Sequence, residues 1–244
     1  MGQKYAHSPI IEAVCEIRFG ADSQWDMAVP GIIYERVKDT FPKRQQIKAL
    51  TFKLTSEPEF IATDRMQFLS EDGTSFIQVS PHFLAVNHLK PYPHWETYSS
   101  LVEKGFDAYR AVTNPNTIER VGLRYINNIL FEEKRLDLPE FFNFYPFVGD
   151  SISQDYDSFS TGIQIPFADG RDRLKIELAS RYSEQEDQAS IILDLDYILM
   201  QPASIDLDDL LAWVNEAHQH IGETFEACIT NSLREKFGKE RTEP

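Results

Sequence analysis

Residues Ile118–Ile129 (IERVGLRYINNI) alternate strictly, with Val121, Leu123, Tyr125, Asn127 and Ile129 on one face and Arg120, Gly122, Arg124, Ile126 and Asn128 on the other. A two-residue period is that of a β-strand, and a strand apolar on one side only belongs to a sheet that packs a core on that side. The N-terminal stretch Ile11–Phe19 has the same character, with Ala13, Cys15, Ile17 and Phe19 on one face and Glu12, Val14, Glu16 and Arg18 on the other. Both stretches open on Ile-Glu-x-Val, which suggests a duplicated unit.

The intervening segments follow the same logic. Pro30 suits a helix start, Ile33, Val37 and Phe41 recur every fourth residue, and Pro42 stops the helix. Leu50–Ser56 is expected as a strand that Glu57–Pro58–Glu59 breaks. Arg65–Ser70 and Thr74–Ser80 form a hairpin around Glu71–Asp72–Gly73, whose Asp-Gly suits a tight turn. Phe83–Leu89 adds a strand, and His94–Val112 carries a helical stripe that includes Tyr98, Val102, Phe106 and Tyr109. In the second half, Leu138–Phe142 reads as a short helix and Tyr145–Gln154 as a loop. Ser158–Phe167 and Arg173–Ser180 form a hairpin across Ala168–Arg171, and Ala189–Leu199 is a strand. From Ile205 to Phe237 apolar residues hold three-and-four spacing without a gap, which predicts one helix of roughly 45 Å capped by Ser204 or Asp206. The stripe serves either as core or as a coiled-coil seam, since Leu207, Val214, Ile221 and Cys228 stand seven apart.

The expected fold is therefore α+β. It is an antiparallel sheet from two similar strand-helix-strands-helix halves, residues 1–117 and 118–244 of one continuous unit, with helices on one face and a long C-terminal helix. The helical phrases Phe106–Asp107–Ala108–Tyr109 and Phe225–Glu226–Ala227–Cys228 echo each other in the same sense.

Several function classes drop out on composition. No apolar run approaches the roughly 18 residues of a membrane span, and the N-terminus shows no apolar secretory core. Cys15 and Cys228 lie in apolar patterns, so the expected setting is reducing and cytoplasmic. A net charge of −15 disfavours general nucleic-acid binding and favours solubility or a basic protein partner. The basic cluster Arg36, Lys38, Lys43, Arg44, Lys48 and Lys53 reads as a solvated helix end and loop.

Pro9–Ile10–Ile11–Glu12–Ala13–Val14 with Glu16–Ile17–Arg18–Phe19, then Arg120–Val121–Gly122–Leu123–Arg124–Tyr125–Ile126–Asn127, then His220–Ile221, Phe225–Glu226 and Ile229–Thr230, follow one another in that order. In this the chain resembles a sporadically distributed bacterial protein family of uncharacterised activity and similar length. The resemblance implies no reaction and no cofactor. It implies only a context like that of genes carried on mobile or defence-associated elements.

Two residue sets are candidates for chemistry. Glu12, Glu16 and Arg18 on the first strand face Arg120 and Arg124 on the central one if the two are neighbours. Arginines positioned by carboxylates suit an anionic ligand, and the same residues also make a cross-strand ion network. Glu177, Asp194 and Asp196 lie on expected neighbouring strands and could hold Mg²⁺ or Mn²⁺ for phosphoryl chemistry, although alternating acids also mark any half-solvated strand. Gly-rich phosphate loops, GxSxG, HExxH and CxxC are all missing from the sequence. The open readings are a cytoplasmic bacterial binding or regulatory protein acting through its sheet face or acidic surface, a metal-dependent enzyme on phosphate-containing substrates, and a neutralising partner of a basic toxin or nuclease.

Overall fold

The computed structural model describes residues 5–53, 59–153, 156–182 and 187–238. Its elements run β1 (Ile10–Phe19), α1 (Val29–Val37), β2 (Lys43–Lys53), β3 (Glu59–Leu69), β4 (Ser75–Ser80), β5 (Phe83–Leu89), α2 (Trp95–Thr113) and β6 (Ile118–Phe131). After these come α3 (Leu138–Phe141), β7 (Ser160–Phe167), β8 (Asp172–Arg181), β9 (Ala189–Leu199), α4 (Leu210–Cys228) and α5 (Asn231–Phe237). The nine strands form an antiparallel sheet in the order β2-β3-β4-β5-β1-β6-β9-β8-β7, and the fold is α+β. The order is strand, helix, four strands and a helix from β1 to α2, then strand, helix, three strands and two helices from β6 to α5.

Two compact units divide these residues. One comprises Val14–Gly122 and Gln201–Leu211. In it Cys15, Ile17 and Phe19 of β1 are fully or nearly buried, and the Phe19 ring stacks on Tyr109 of α2 at 4.7 Å. Helix α2 approaches β4 and β5 closely because residue 105 is glycine: a Cβ there would meet Val86 Cγ2 at 3.0 Å and Ile77 Cδ1 at 3.4 Å. Two tyrosines on the buried stripe of α2 satisfy their hydroxyls within the core, Tyr98 donating to the Val86 carbonyl (2.9 Å) and Tyr109 to that of Ser80 (3.2 Å). Helix α1 has Pro30 in its first turn, and Asp26 Oδ1 accepts the Ala28 and Val29 N–H groups that the helix leaves free.

The β3-β4 turn is closed by Asp72, whose carboxylate accepts from Ser70 Oγ (2.6 Å), Thr74 N (3.0 Å) and Thr74 Oγ1 (2.9 Å), while Gly73 supplies the positive φ of +74°. These bonds favour the ionised form and hold its pKa down at about 2, against an ordinary 3.8. A depressed carboxylate stabilises the fold above its unfolded pKa and loses that contribution as pH falls through the folded value. The Thr74 amide resonance is therefore expected to titrate at about 2 and to remain untouched around 3.8, and Asp72→Asn should abolish the transition.

The other unit comprises Met1–Ala13, Leu123–Met200 and Ala212–Pro244. The β7-β8 hairpin turns through Ala168, Asp169 and Gly170, all at positive φ. Strands β8 and β9 pair with Glu177 opposite Asp194 and Lys175 opposite Asp196. Leu174, Ile176 and Leu178 share the buried side with Leu193, Leu195 and Tyr197. Among the described residues no helix is long and apolar enough to cross a membrane.

Three expectations need correction. The basic cluster is not a helix end running into a loop: Lys43, Arg44 and Lys48 belong to β2, at the end of the sheet, and only Arg36 and Lys38 lie at α1. Cations on an edge strand oppose pairing with a further chain, which is reason enough for them to be there. The strand expected at Leu50–Ser56 is the end of this longer β2, and residues 54–58 lie outside the described ones. The C-terminal helix, finally, breaks at Ile229–Thr230. Phe142 pairs there with Ile229 as an isolated antiparallel bridge, Asn143 N donates to the Cys228 carbonyl (2.8 Å), and Thr230 N donates to that of Phe141 (3.0 Å). Neither proposed cap is used as expected, since Ser204 Oγ donates to the Gln201 carbonyl and Asp206 makes no side-chain cap.

Candidate functional site

Strand alternation places Glu16, Arg18 and Arg120 on the side of the sheet away from Phe19 and α2. Glu16 Oε1 accepts from Arg18 Nε at 2.8 Å and from Arg120 Nη1 at 2.7 Å, so one carboxylate oxygen orients two guanidinium groups. All three side chains remain partly exposed. The expected pairing of Arg120 with Glu16 is present. The shared Ile-Glu-x-Val phrase, however, faces opposite ways: Val14 lies with Glu12 and Glu16 on this polar side, while Val121 is fully buried.

A third arginine joins this group. Pairing of Met66 with Val79 sets Arg65 of β3 beside Ser80, and Ser80 pairs with Phe83 of β5. The small serine lets Arg65 extend across β4, and its guanidinium lies over the Phe83 ring, 3.7 Å from the centroid. Arg65 Nε is buried and has no hydrogen-bond partner among the described residues. Burial pulls the Arg65 pKa down, the Glu16 charge opposes that shift, and the nearby Arg18 charge adds to it. Arg65 and Phe83 escaped sequence reasoning. Alternation puts Arg65 on the polar side of its strand, but nothing local shows that β3 and β1 act across the same part of the sheet.

Arg124 takes a different partner from the one expected. It forms a two-pronged pair with Asp194, Nε to Oδ1 at 2.8 Å and Nη2 to Oδ2. That pair is the largest cause of its raised pKa, with Asp196 and Glu12 adding their fields. Like charges directly opposite one another destabilise a sheet, and Glu177 faces Asp194 across the β8-β9 register. Each acid has its own cation: Asp194 has Arg124, and Glu177 has Lys175 at 2.9 Å. Among the described residues no three His, Cys, Asp or Glu side chains are grouped to hold a metal ion. Asp196 stands opposite Lys175 in the same register.

The Asp194 side chain is only 10% exposed, whereas Arg124 is 45% exposed. Arg124→Ala therefore strands a nearly buried carboxylate and is expected to cost about 1–3 kcal/mol in urea denaturation. Arg124→Lys should recover part of this loss, because a point charge cannot reproduce both prongs.

The chain matches no family model, and it matches no curated protein sequence.

Proposed function

We propose that this chain is a non-catalytic bacterial binding or regulatory protein of the cytoplasm, working through the polar face of its sheet. The observation that carries this reading is the Glu16 carboxylate holding Arg18 and Arg120 in fixed, partly exposed positions. Side chains fixed in advance bind with less entropic loss than free ones, and guanidinium donors facing water suit recognition of an anionic group. The ordered motif resemblance belongs to the same proposal, and with it a context of mobile or defence-associated genes.

A second reading rests on net charge. At −15 the surface as a whole would steer a basic protein, such as a toxin or nuclease, toward capture. The metal-dependent enzyme reading has less support, because Asp194 and Glu177 are each engaged by a cation.

Native mass spectrometry of the chain isolated gently from its host tests the proposal. A small-molecule or protein adduct present on wild type and lost with Arg120→Ala supports it. Divalent-metal-dependent hydrolysis of a phosphate ester, abolished by Asp194→Asn, would replace it with the enzyme reading.

A further inference from the structure

We propose that Arg18, Arg65 and Arg120 form a binding site for a small oxyanion, a phosphate or a carboxylate, with Glu16 as the positioning residue and Phe83 as its floor. The inference rests on the sheet-face reading and deepens it by naming the ligand class.

Charge is the first argument. Two guanidinium groups share one carboxylate oxygen in a chain whose overall charge is −15. An ion network built for stability alone would match its charges, as the Arg124–Asp194 and Lys175–Glu177 pairs do. Here Glu16 uses Oε1 for both Arg18 and Arg120, and each of them gives it a single N–H. The remaining guanidinium donors of these two residues have no protein acceptor among the described residues.

Arg65 is the second argument and is independent of the first. Its guanidinium carbon lies over the Phe83 ring, 3.7 Å from the centroid, and its buried Nε has no acceptor among the described residues. Leaving a buried charged donor unpaired is costly, and structures keep such groups chiefly where something else completes them. A guanidinium held over an aromatic ring still carries N–H donors able to grip the two oxygens of a carboxylate or phosphate. Phe19 N donates to the His82 carbonyl at 2.9 Å, which brings the end of β1, with Arg18, beside the start of β5 and Phe83, and the Glu16 and Arg18 charges both act on Arg65.

Isothermal titration calorimetry of the full chain with inorganic phosphate, and separately with succinate, tests the site at low ionic strength. Wild type is expected to bind at least one of them saturably, and which one identifies the ligand as phosphoryl or carboxylate. Arg65→Ala and Arg120→Ala should each weaken binding by at least about tenfold, the loss of one charge-assisted contact. Arg65→Lys keeps the charge without the planar fork, so it serves if the alanine variant fails to fold, and it should weaken binding as well. Arg36→Ala, on α1, should leave binding unchanged. The site is overturned if wild type binds neither anion saturably, or if the Arg65 and Arg120 variants bind as wild type does. In that case, an adduct still lost with Arg120→Ala in native mass spectrometry would show that the broader sheet-face reading survives without the oxyanion site.

Discussion

A chain ending at Ser204 is expected to be insoluble, or to collect as a molten species with no near-ultraviolet circular dichroism and no cooperative melt. Such a chain lacks Leu210, Trp213, Ala217, Ile221, Ile229 and Leu233, all of which are buried at 3% exposure or less. Truncating a single buried Leu or Ile to Ala costs about 2–5 kcal/mol. A whole domain is stable by only about 5–15 kcal/mol. Losing the set leaves the apolar side of the sheet facing water. The coiled-coil alternative predicts the opposite, a folded truncated monomer, but Val214, Ile221 and Cys228 of that seven-residue seam are already buried within the chain. A soluble 1–204 fragment that melts cooperatively would overturn the core assignment. A finer measurement checks the break at Ile229–Thr230: Leu233→Ala, beyond the break and fully buried, should cost as much as Ile221→Ala, before it. Phe225 stays partly exposed beside Tyr5 and Phe237, so Phe225→Ala should cost less than the roughly 3–5 kcal/mol of a fully buried phenylalanine.

Local periodicity made much of this fold legible. Strands β5 and β9 appear with the bounds their alternation implies, and in β6 all five residues predicted to face the core are buried, including Asn127, which reaches the Leu193 carbonyl at 2.9 Å. What stayed hidden depends on which strands are neighbours. Arg124 was expected to meet a β1 carboxylate. It meets Asp194 because β9 borders β6 on the other side, and no local pattern carries that order. Arg65 was hidden for the same reason, since its position over Phe83 needs β3, β4 and β5 in sequence. The helix break was hidden differently. Leu233 and Phe237 continue the four-residue spacing from Ile229, so side-chain periodicity survives where backbone hydrogen bonding switches to Phe141 and Phe142. Strand β2 carries a weak local signal because KRQQIKALTFK mixes charged and amide side chains with few apolar ones, as an edge strand does.

The second large effect lies at Asp172, a residue on which the sequence places no emphasis. Its side chain is fully buried at the start of β8. Trp213 Nε1 donates to Oδ1 at 3.0 Å, while Oδ2 accepts from Arg171 Nη2 at 2.6 Å and from the Tyr197 hydroxyl at 3.3 Å. Burial and the Asp172 charge both push the Tyr197 pKa upward, so the phenol remains a donor at any ordinary pH. Asp172→Ala leaves Arg171 able to turn to solvent, being 29% exposed, but strands the Trp213 N–H and the Tyr197 O–H in the core. Each stranded donor costs about 1–3 kcal/mol, so a loss of about 2–6 kcal/mol is expected in urea unfolding followed by tryptophan fluorescence. Asp172→Asn retains an acceptor oxygen and should lose less. Trp213→Phe provides the decisive comparison, because it removes one donor without emptying the site. If the donors are coupled through the carboxylate, Trp213→Phe will cost clearly less in an Asp172→Ala background than in wild type. Equal costs in the two backgrounds would mean that Asp172 contributes by packing alone.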